Sequence, residues 1–258
     1  DAAHVLIAPG CYDMPVPFPG STLPGVMATG AIQAFIKSQQ IVAGDTIVLS
    51  GTHPLQLIVA DQIVQSGGRV AAVLFAQSLR SVLAAALSMP LAILGSGQLA
   101  FFTQVLWRLR KAKVPIRFSQ TVVQANGGEA LESIDVGHVG SDGRIDRSRS
   151  YRIACDRLGV CYGFLSSSEL TRQVGARHAW SRDGGGWICR CDEWMRTNVP
   201  GISAAGEITG VAGAQVAAEE GRLAALGILQ TFARITEEEA RRRASPVRKR
   251  LARLNRFA

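Results

Sequence analysis

The sequence predicts an α/β fold in which one strand–helix–strand unit is inserted into another. Two observations carry that expectation. Residues 46–50 form an apolar run, a turn follows at Gly51-Thr52-His53-Pro54, residues 55–65 have helical periodicity, and residues 69–75 return as a second apolar run. That is a β-turn-helix-β unit, the opening of a nucleotide-binding fold. Composition agrees: of 258 residues 47% are hydrophobic and only 6% aromatic, with 27 glycines, which suits a sizeable core built on close backbone contacts.

The other elements follow in order. Residues 4–8 read as a short strand stopped by Pro9-Gly10. Pro15, Pro17, Pro19 and Pro24 then hold an extended connector, because proline fixes its own φ and restricts the residue before it. Residues 29–40 read as a helix with Ile32, Phe35 and Ile36 on one face, ended by Gly44-Asp45. Gly67-Gly68 turns the chain into the strand at 69–75, and a further helix and strand are expected over 100–111 and 114–118. Short antiparallel strands are expected over 120–153, with turns at Asn126-Gly127-Gly128 and Ser141-Asp142-Gly143. Ser166-Ser167-Ser168-Glu169 reads as a helix start whose hydroxyls accept from free N–H groups, and Asp183-Gly184-Gly185-Gly186-Trp187 as a mobile turn.

Charge and cysteines narrow the classes. The formal net charge is +8, yet residues 241–258 alone hold eight Lys and Arg and no acid, so the rest of the chain sums to zero. The high basicity belongs to a C-terminal tail, read as a solvated helix leading out of the domain. A nucleic-acid-binding face is not expected; the alternative to a solvated tail is its contact with an anionic membrane surface or an acidic partner. No apolar run reaches the ~20 residues that span a bilayer, and nothing after Asp1 reads as a signal peptide. The five cysteines are odd in number and irregularly spaced, which argues against a secreted disulfide framework and points to a cytoplasmic setting; the alternative of a peripheral position at the inner membrane rests on the basic tail. Cys189-Arg190-Cys191 with Cys155 and Cys161 could supply four thiolates, but no C-x2-C spacing exists, so scattered buried thiols are expected and neither an iron–sulfur nor a zinc site is. Of the histidines, none of His4, His138 and His178 stands in a nucleophile arrangement.

The most informative stretch is Thr197-Asn198-Val199-Pro200-Gly201-Ile202-Ser203-Ala204-Ala205-Gly206-Glu207: a turn, a short strand of small residues, then glycine and a carboxylate. Gly213-Ala214-Gln215 opens an Ala-rich helix soon after. Bare backbone lets a bulky group lie close, a carboxylate can take a sugar hydroxyl, and helix-start N–H groups face an electron-rich atom. This stretch resembles the T-S-x-P-G-[VI]-[YF]-A-A-G-D signature that closes the FAD site of oxidoreductases with two dinucleotide-binding domains, with Glu207 where aspartate is usual. Ala8-Pro9-Gly10 is similar to the family's A-T-G crossover motif, with Pro9 replacing threonine.

The resemblance implies an incomplete FAD-binding, Rossmann-like domain interrupted by a second, inserted dinucleotide-binding-like domain. The expected limits are 1–42 with 151–235 for the FAD-type domain, 43–150 for the NAD(P)-like insert and 236–258 for the basic tail. No G-x-G-x-x-G segment precedes the crossover motif, so this chain alone is not expected to hold FAD tightly. In the insert, His53 takes the second glycine position after Gly51, and residues Phe75-Ala76-Gln77 offer no acid for a ribose diol. Both departures argue against NAD(P) binding there; a phosphate or carboxylate contact by Gly51 and His53 is the functional alternative to a capping role.

Ala8-Pro9-Gly10-Cys11-Tyr12-Asp13-Met14-Pro15-Val16-Pro17-Phe18-Pro19-Gly20, followed by Thr22-Leu23-Pro24-Gly25-Val26-Met27, looks like the larger (alpha or A) subunits of heteromeric FAD-dependent amino-acid dehydrogenases. That group comprises opine oxidases, hydrogen cyanide synthase and dye-linked proline or hydroxyproline dehydrogenases. Val160-Cys161-Tyr162-Gly163-Phe164 and Asp192-Glu193-Trp194-Met195-Arg196-Thr197 are similar to it too. The resemblance implies oxidation of the C–N bond of an amino acid or opine within a complex, the bond breaking in a smaller, sarcosine-oxidase-like flavoprotein subunit. Cofactor contacts to FAD, or to another adenine nucleotide, are expected at Gly10, Gly206, Glu207, Gly213, Ala214 and Gln215; no catalytic residue is expected in this chain. The alternatives are a free-standing NAD(P)H-dependent flavin reductase and a non-catalytic scaffold subunit.

Overall fold

The computed structural model describes residues 2–88 and 98–254. In chain order the elements are β1 (Val5–Ile7), β2 (Cys11–Asp13), β3 (Val26–Ala28), α1 (Thr29–Ala34), β4 (Ile47–Gly51), α2 (Leu55–Gln65), β5 (Val70–Phe75), α3 (Leu79–Ser88), α4 (Gln98–Lys111) and β6 (Ile116–Phe118). There follow β7 (Gln120–Asn126), β8 (Ser133–Val139), β9 (Ile145–Ala154), β10 (Arg157–Cys161), β11 (Phe164–Ser166), α5 (Glu169–Gln173), β12 (His178–Ser181), β13 (Gly186–Cys189), β14 (Ile202–Ala204), α6 (Ala214–Thr231) and α7 (Glu237–Leu254). They group into two compact units, residues 13–163 and residues 1–12 with 164–258.

The unit of residues 13–163 is built on a parallel sheet in the order β3-β10-β4-β5-β6. Its central strand β4 is buried at every residue, as expected of a parallel strand covered on both faces. Alternation sorts the side chains. Ile47, Leu49, Val73 and Phe75 face a core shared with Ile32 of α1, Val59 and Ile63 of α2, and Val105 and Leu109 of α4. Val48, Ala72 and Leu74 face the opposite core, made with Val122, Ile134 and Val136 of the antiparallel sheet β7-β8-β9. Helices therefore cover one face and a second sheet the other. Arg108 of α4 clamps the buried Asp61 of α2 with two 2.6 Å hydrogen bonds, a bidentate pairing that fixes the two helices together.

Residues 13–42, expected with the terminal segments, lie instead in this unit: β3 pairs with β10, and α1 packs on the same core as β4. The junctions fall at 12/13 and 163/164 rather than at 42/43 and 150/151. Helix α1 stops at Ala34, followed by a wider π turn over Phe35–Gln39 and a left-handed Gln40 with φ 55°. Phe35 is consequently exposed, while Ile32 is fully buried. Helix α3 is not expected from the sequence.

In the other unit β1 and β14 pair in parallel, with Ile7 opposite Ala204. Ile7, Ala176, Cys189, Ala204 and Ile208 form a small core. A second one joins Trp194, Val216, Leu223 and Ala224 to Ala240, Ala244, Val247 and Leu251 of α7. The basic tail is thus a docked helix and not a solvated one. Its apolar residues recur at helical spacing on one face, while Glu237, Glu238 and Glu239 occupy the first turn, where acids complement the helix dipole. Arg250 pairs with the buried Glu219 at 2.9 Å and Arg248 with Glu193 at 2.9 Å. Arg256 lies outside the described residues. Ser168 does precede α5, but no side chain caps it. The glycine turn between β12 and β13 is packed: a Cβ on Gly185 would meet Val211 at 2.8 Å.

Candidate functional site

Strands β1 and β14 run in register and end together, so the segments that leave them start from the same corner. The Ala205 N–H donates to the Ile7 carbonyl at 3.2 Å, and the chain then reaches Gly206 and Glu207 on one side, Gly10 and Cys11 on the other. The two meet: the Cys11 thiol donates to Glu207 Oε2 at 2.8 Å. Gly10 has φ +85°, and a Cβ there would meet nothing within 4 Å. Gly213, at the start of α6, has φ +88° and is equally open. Behind it Ala214 and Gln215 are exposed, and the first-turn N–H groups of this 18-residue helix have no acceptor within the helix. The open helix start favours an electron-rich group, and the Glu207 carboxylate, at the corner shared with Gly10 and Cys11, favours a hydroxyl.

Gly206 is different. It is buried, its absent side chain faces Ala217 (a Cβ would sit 3.3 Å from that methyl), and its N–H donates to Glu220 Oε2 at 2.8 Å. The Thr209 hydroxyl donates to the same oxygen at 2.7 Å. Burial pushes the Glu220 carboxyl up from its usual range, opposed by these two donors. Gly206 shapes the turn from within rather than offering a surface. Glu220, which ties that turn to α6, carries no signal in the sequence, because a lone glutamate in an Ala-rich helix looks like a solvated position.

Gly51 and His53 belong to the other unit. A Cβ on Gly51 would lie 1.9 Å from the Cys161 carbonyl oxygen, so this glycine serves the approach of β4 to β10. The His53 ring accepts the Leu55 N–H on Nδ1 at 3.2 Å, and burial lowers its pKa, which keeps the ring neutral and able to accept. The Gln77 side chain donates to the Thr52 carbonyl at 2.8 Å, occupying the end of β5 with a loop contact. In the same unit an apolar cavity of about 490 Å³, lined by Met14, Phe18, Met27 and Val160 and by the carboxyl of Asp13, includes none of the expected residues. Cys155 and Cys161 are buried and their thiols are pushed up to about 12. Among the described residues no group of three or more His, Cys, Asp or Glu side chains is placed to hold a metal ion, and no helix is long and apolar enough to cross a membrane.

The chain belongs to the pyridine nucleotide-disulphide oxidoreductase family, whose model matches residues 1–221. Within that class it is similar to the hydrogen cyanide synthase subunit HcnB of Pseudomonas protegens, 34% identical over 98% of this chain and 53% of that protein. It is also similar to an opine oxidase subunit of Rhizobium meliloti, 32% identical over 91% of this chain and 50% of that protein. The chain therefore spans about half the length of these relatives. Its fold is similar to that of L-proline dehydrogenase from P. horikoshii, with TM-score 0.60 and 16% identity, covering 96% of this chain and 37% of that one.

Proposed function

We propose that this chain is the FAD-binding part of an oxidoreductase subunit that acts in a complex on the C–N bond of an amino acid or opine and passes the electrons to an acceptor. The observation that carries the reading is the corner where β1 and β14 end together, with Gly10 open, Cys11 bonded to Glu207, and the uncapped start of α6 following in the same unit. Glu207 would accept a hydroxyl of the flavin's sugar-alcohol chain, Gly10 would allow the cofactor to approach the backbone, and the N–H groups of Gly213, Ala214 and Gln215 would face an electron-rich edge of the flavin. FAD supplies the two-electron acceptor; the chain's own residues bind and orient it. The family match and the names of the relatives, each a subunit, support both the cofactor and a partner, which we assign as a smaller, sarcosine-oxidase-like flavoprotein.

In this reading residues 1–12 with 164–235 form the FAD-type domain and residues 13–163 the NAD(P)-like one, without a working nucleotide site. We assign the complex to the cytoplasm, with the exposed basic face of α7 turned to an anionic bilayer surface. Co-expression with such a partner, followed by flavin content and dye-linked activity over a panel of amino acids and opines, tests the proposal. Flavin above that of the partner alone, reduced by Glu207→Ala, is expected. Flavin content equal to the partner's own, and unaffected by Glu207→Ala, would overturn it.

A further inference from the structure

Helix α4 is held to its unit by one side only. Val105 and Leu109 are fully buried in the core on the helix side of the parallel sheet, and Arg108 is engaged by Asp61 of α2. The rest of its surface is apolar and uncovered. Leu99, Leu106 and Trp107 stand at helical spacings that turn them away from that core, and Phe101 in the first turn is uncovered too. These four residues are between 42% and 60% exposed, and Leu79 and Leu83, one turn apart on α3, are about half exposed. Single exposed apolar residues are ordinary on a protein surface, but six on two consecutive helices are not. Charge is graded along the same stretch. Residues 81–107 contain no Asp, Glu, Lys or Arg, and the exposed Arg110, Lys111 and Lys113 follow directly. No acid occurs anywhere between Asp61 and Glu129. Lys111 Nζ lies 5.4 Å from the centre of the Trp107 ring, so the indole stands where the apolar part of α4 meets the basic part.

We propose that the uncovered face of α4, with the exposed leucines of α3, is a membrane-contact surface that lies in the interface of an anionic bilayer. Leu99, Phe101 and Leu106 enter the edge of the acyl region, and Trp107 takes the boundary level that indoles favour. Arg110, Lys111 and Lys113 meet the lipid phosphates, with the Lys111 stem covering apolar surface on the way. The helix lies in the surface and does not cross it. Its 14 residues span ~21 Å against a hydrocarbon core of ~30 Å, and its inner side is committed to the protein core. The gradient also selects a bilayer over a protein partner. An acidic partner needs basic groups spread among the apolar contacts, whereas here they are gathered at one end. A second copy in parallel would bring two basic clusters together, and in antiparallel would lay each cluster on the other's apolar half. The surface belongs to the unit that lacks α7, and the inference stands with or without bound flavin.

The test is flotation of the full chain with vesicles of phosphatidylcholine, alone or mixed with phosphatidylglycerol. The wild-type chain should float with the mixed vesicles, and less so as salt is raised. Leu106→Gln with Trp107→Gln should lower the bound fraction by at least about tenfold. Arg110→Gln with Lys111→Gln should remove about tenfold of the preference for phosphatidylglycerol. The changed positions are exposed, so urea midpoints should match the wild type. Trp107→Phe supplies a readout that does not depend on the double variant folding: brominated lipid should quench the wild-type fluorescence, and Trp107→Phe should lose most of that quenching. A wild-type chain that stays in the aqueous phase overturns the proposal. The face is then a self-contact if the double variant lowers the mass of the chain in solution, or a protein interface if it impairs assembly with the partner subunit. Flotation that needs phosphatidylglycerol but is indifferent to the change at Leu106 and Trp107 also overturns it, and leaves the charges of α7 to account for binding.

Discussion

The backbone N–H of Gly206 donates to Oε2 of Glu220 at 2.8 Å, joining the turn that follows β14 to the second turn of α6. With the Thr209 hydroxyl on the same oxygen, the carboxylate holds both ends of the short 3-10 turn Glu207–Thr209. The position of Glu207 is therefore set by a residue that never faces the proposed cofactor.

Burial raises the Glu220 carboxyl above its ordinary value of 4.5. A carboxyl whose folded pKa is raised binds its proton more tightly in the native state than in the unfolded one. Its contribution to stability is then full below about 4.5 and declines as pH rises through the folded pKa. Glu220→Gln keeps an oxygen acceptor without the charge. The difference in unfolding free energy between the variant and the wild type should move in the variant's favour from pH 4 towards neutrality. Urea melts across that range would contradict the assignment if the difference were flat.

Gly206 and Gly213 occupy backbone conformations that are almost glycine-only, at φ, ψ of 84°, −153° and 88°, 167°. Alanine at either position should cost about 1–3 kcal/mol of stability. They differ in surroundings, since Gly206 faces Ala217 and Gly213 faces open space. If α6 begins against a flavin, Gly213→Ala should lower flavin content per folded complex. Denaturant midpoints alongside flavin absorbance separate the two effects, and wild-type flavin content in folded Gly213→Ala would count against contact at this point.

Gly51→Ala should be among the most damaging single changes, because the added methyl would fall 1.9 Å from the Cys161 carbonyl oxygen and force the two central strands apart. A loss of at least about 3 kcal/mol is expected. Titration of the assembled complex with NADH or NADPH should produce no saturable quenching and no reduction of the flavin, given the His53 cap and the Gln77 contact with the loop. A saturable signal abolished by a change at His53 would reverse that expectation.

Helix α7 should be held by its apolar face and not by its charge. Ala244 is fully buried, so Ala244→Glu places an unpaired carboxylate against α6. Tryptic cleavage at Arg241, Arg242 and Arg243 should accelerate by at least about tenfold, the equivalent of ~1.4 kcal/mol in local opening. A surface change such as Arg253→Gln should leave the rate within about twofold.

Residues with a strong local signal are readable. The apolar runs of β4 and β5 and the periodic face of α2 appear where expected, because strand alternation and helical spacing are properties of a few consecutive residues. The docking of α7 is hidden by its own basic residues: its buried stripe is made of two alanines, a valine and a leucine, small enough to be lost among seven positive charges. The junction at 12/13 is illegible for a different reason. Whether residues 26–28 pair with β10 or with a terminal strand is a question of sheet partner, and the strand itself is the same either way.

By itself the sequence determined the α/β class, the interrupted order of the chain and the likeness to a flavoprotein family, all of which rest on neighbouring residues or on motifs in fixed order. Tertiary structure alone decided which side chains share an atom. Cys11 and Glu207 are 196 positions apart, and Gly206 and Glu220 are 14 apart across a turn and half a helix. The physical reason is that a hydrogen bond depends on where two strands end and how a helix packs against them. Those quantities are set by the whole core, and no window of the chain contains them.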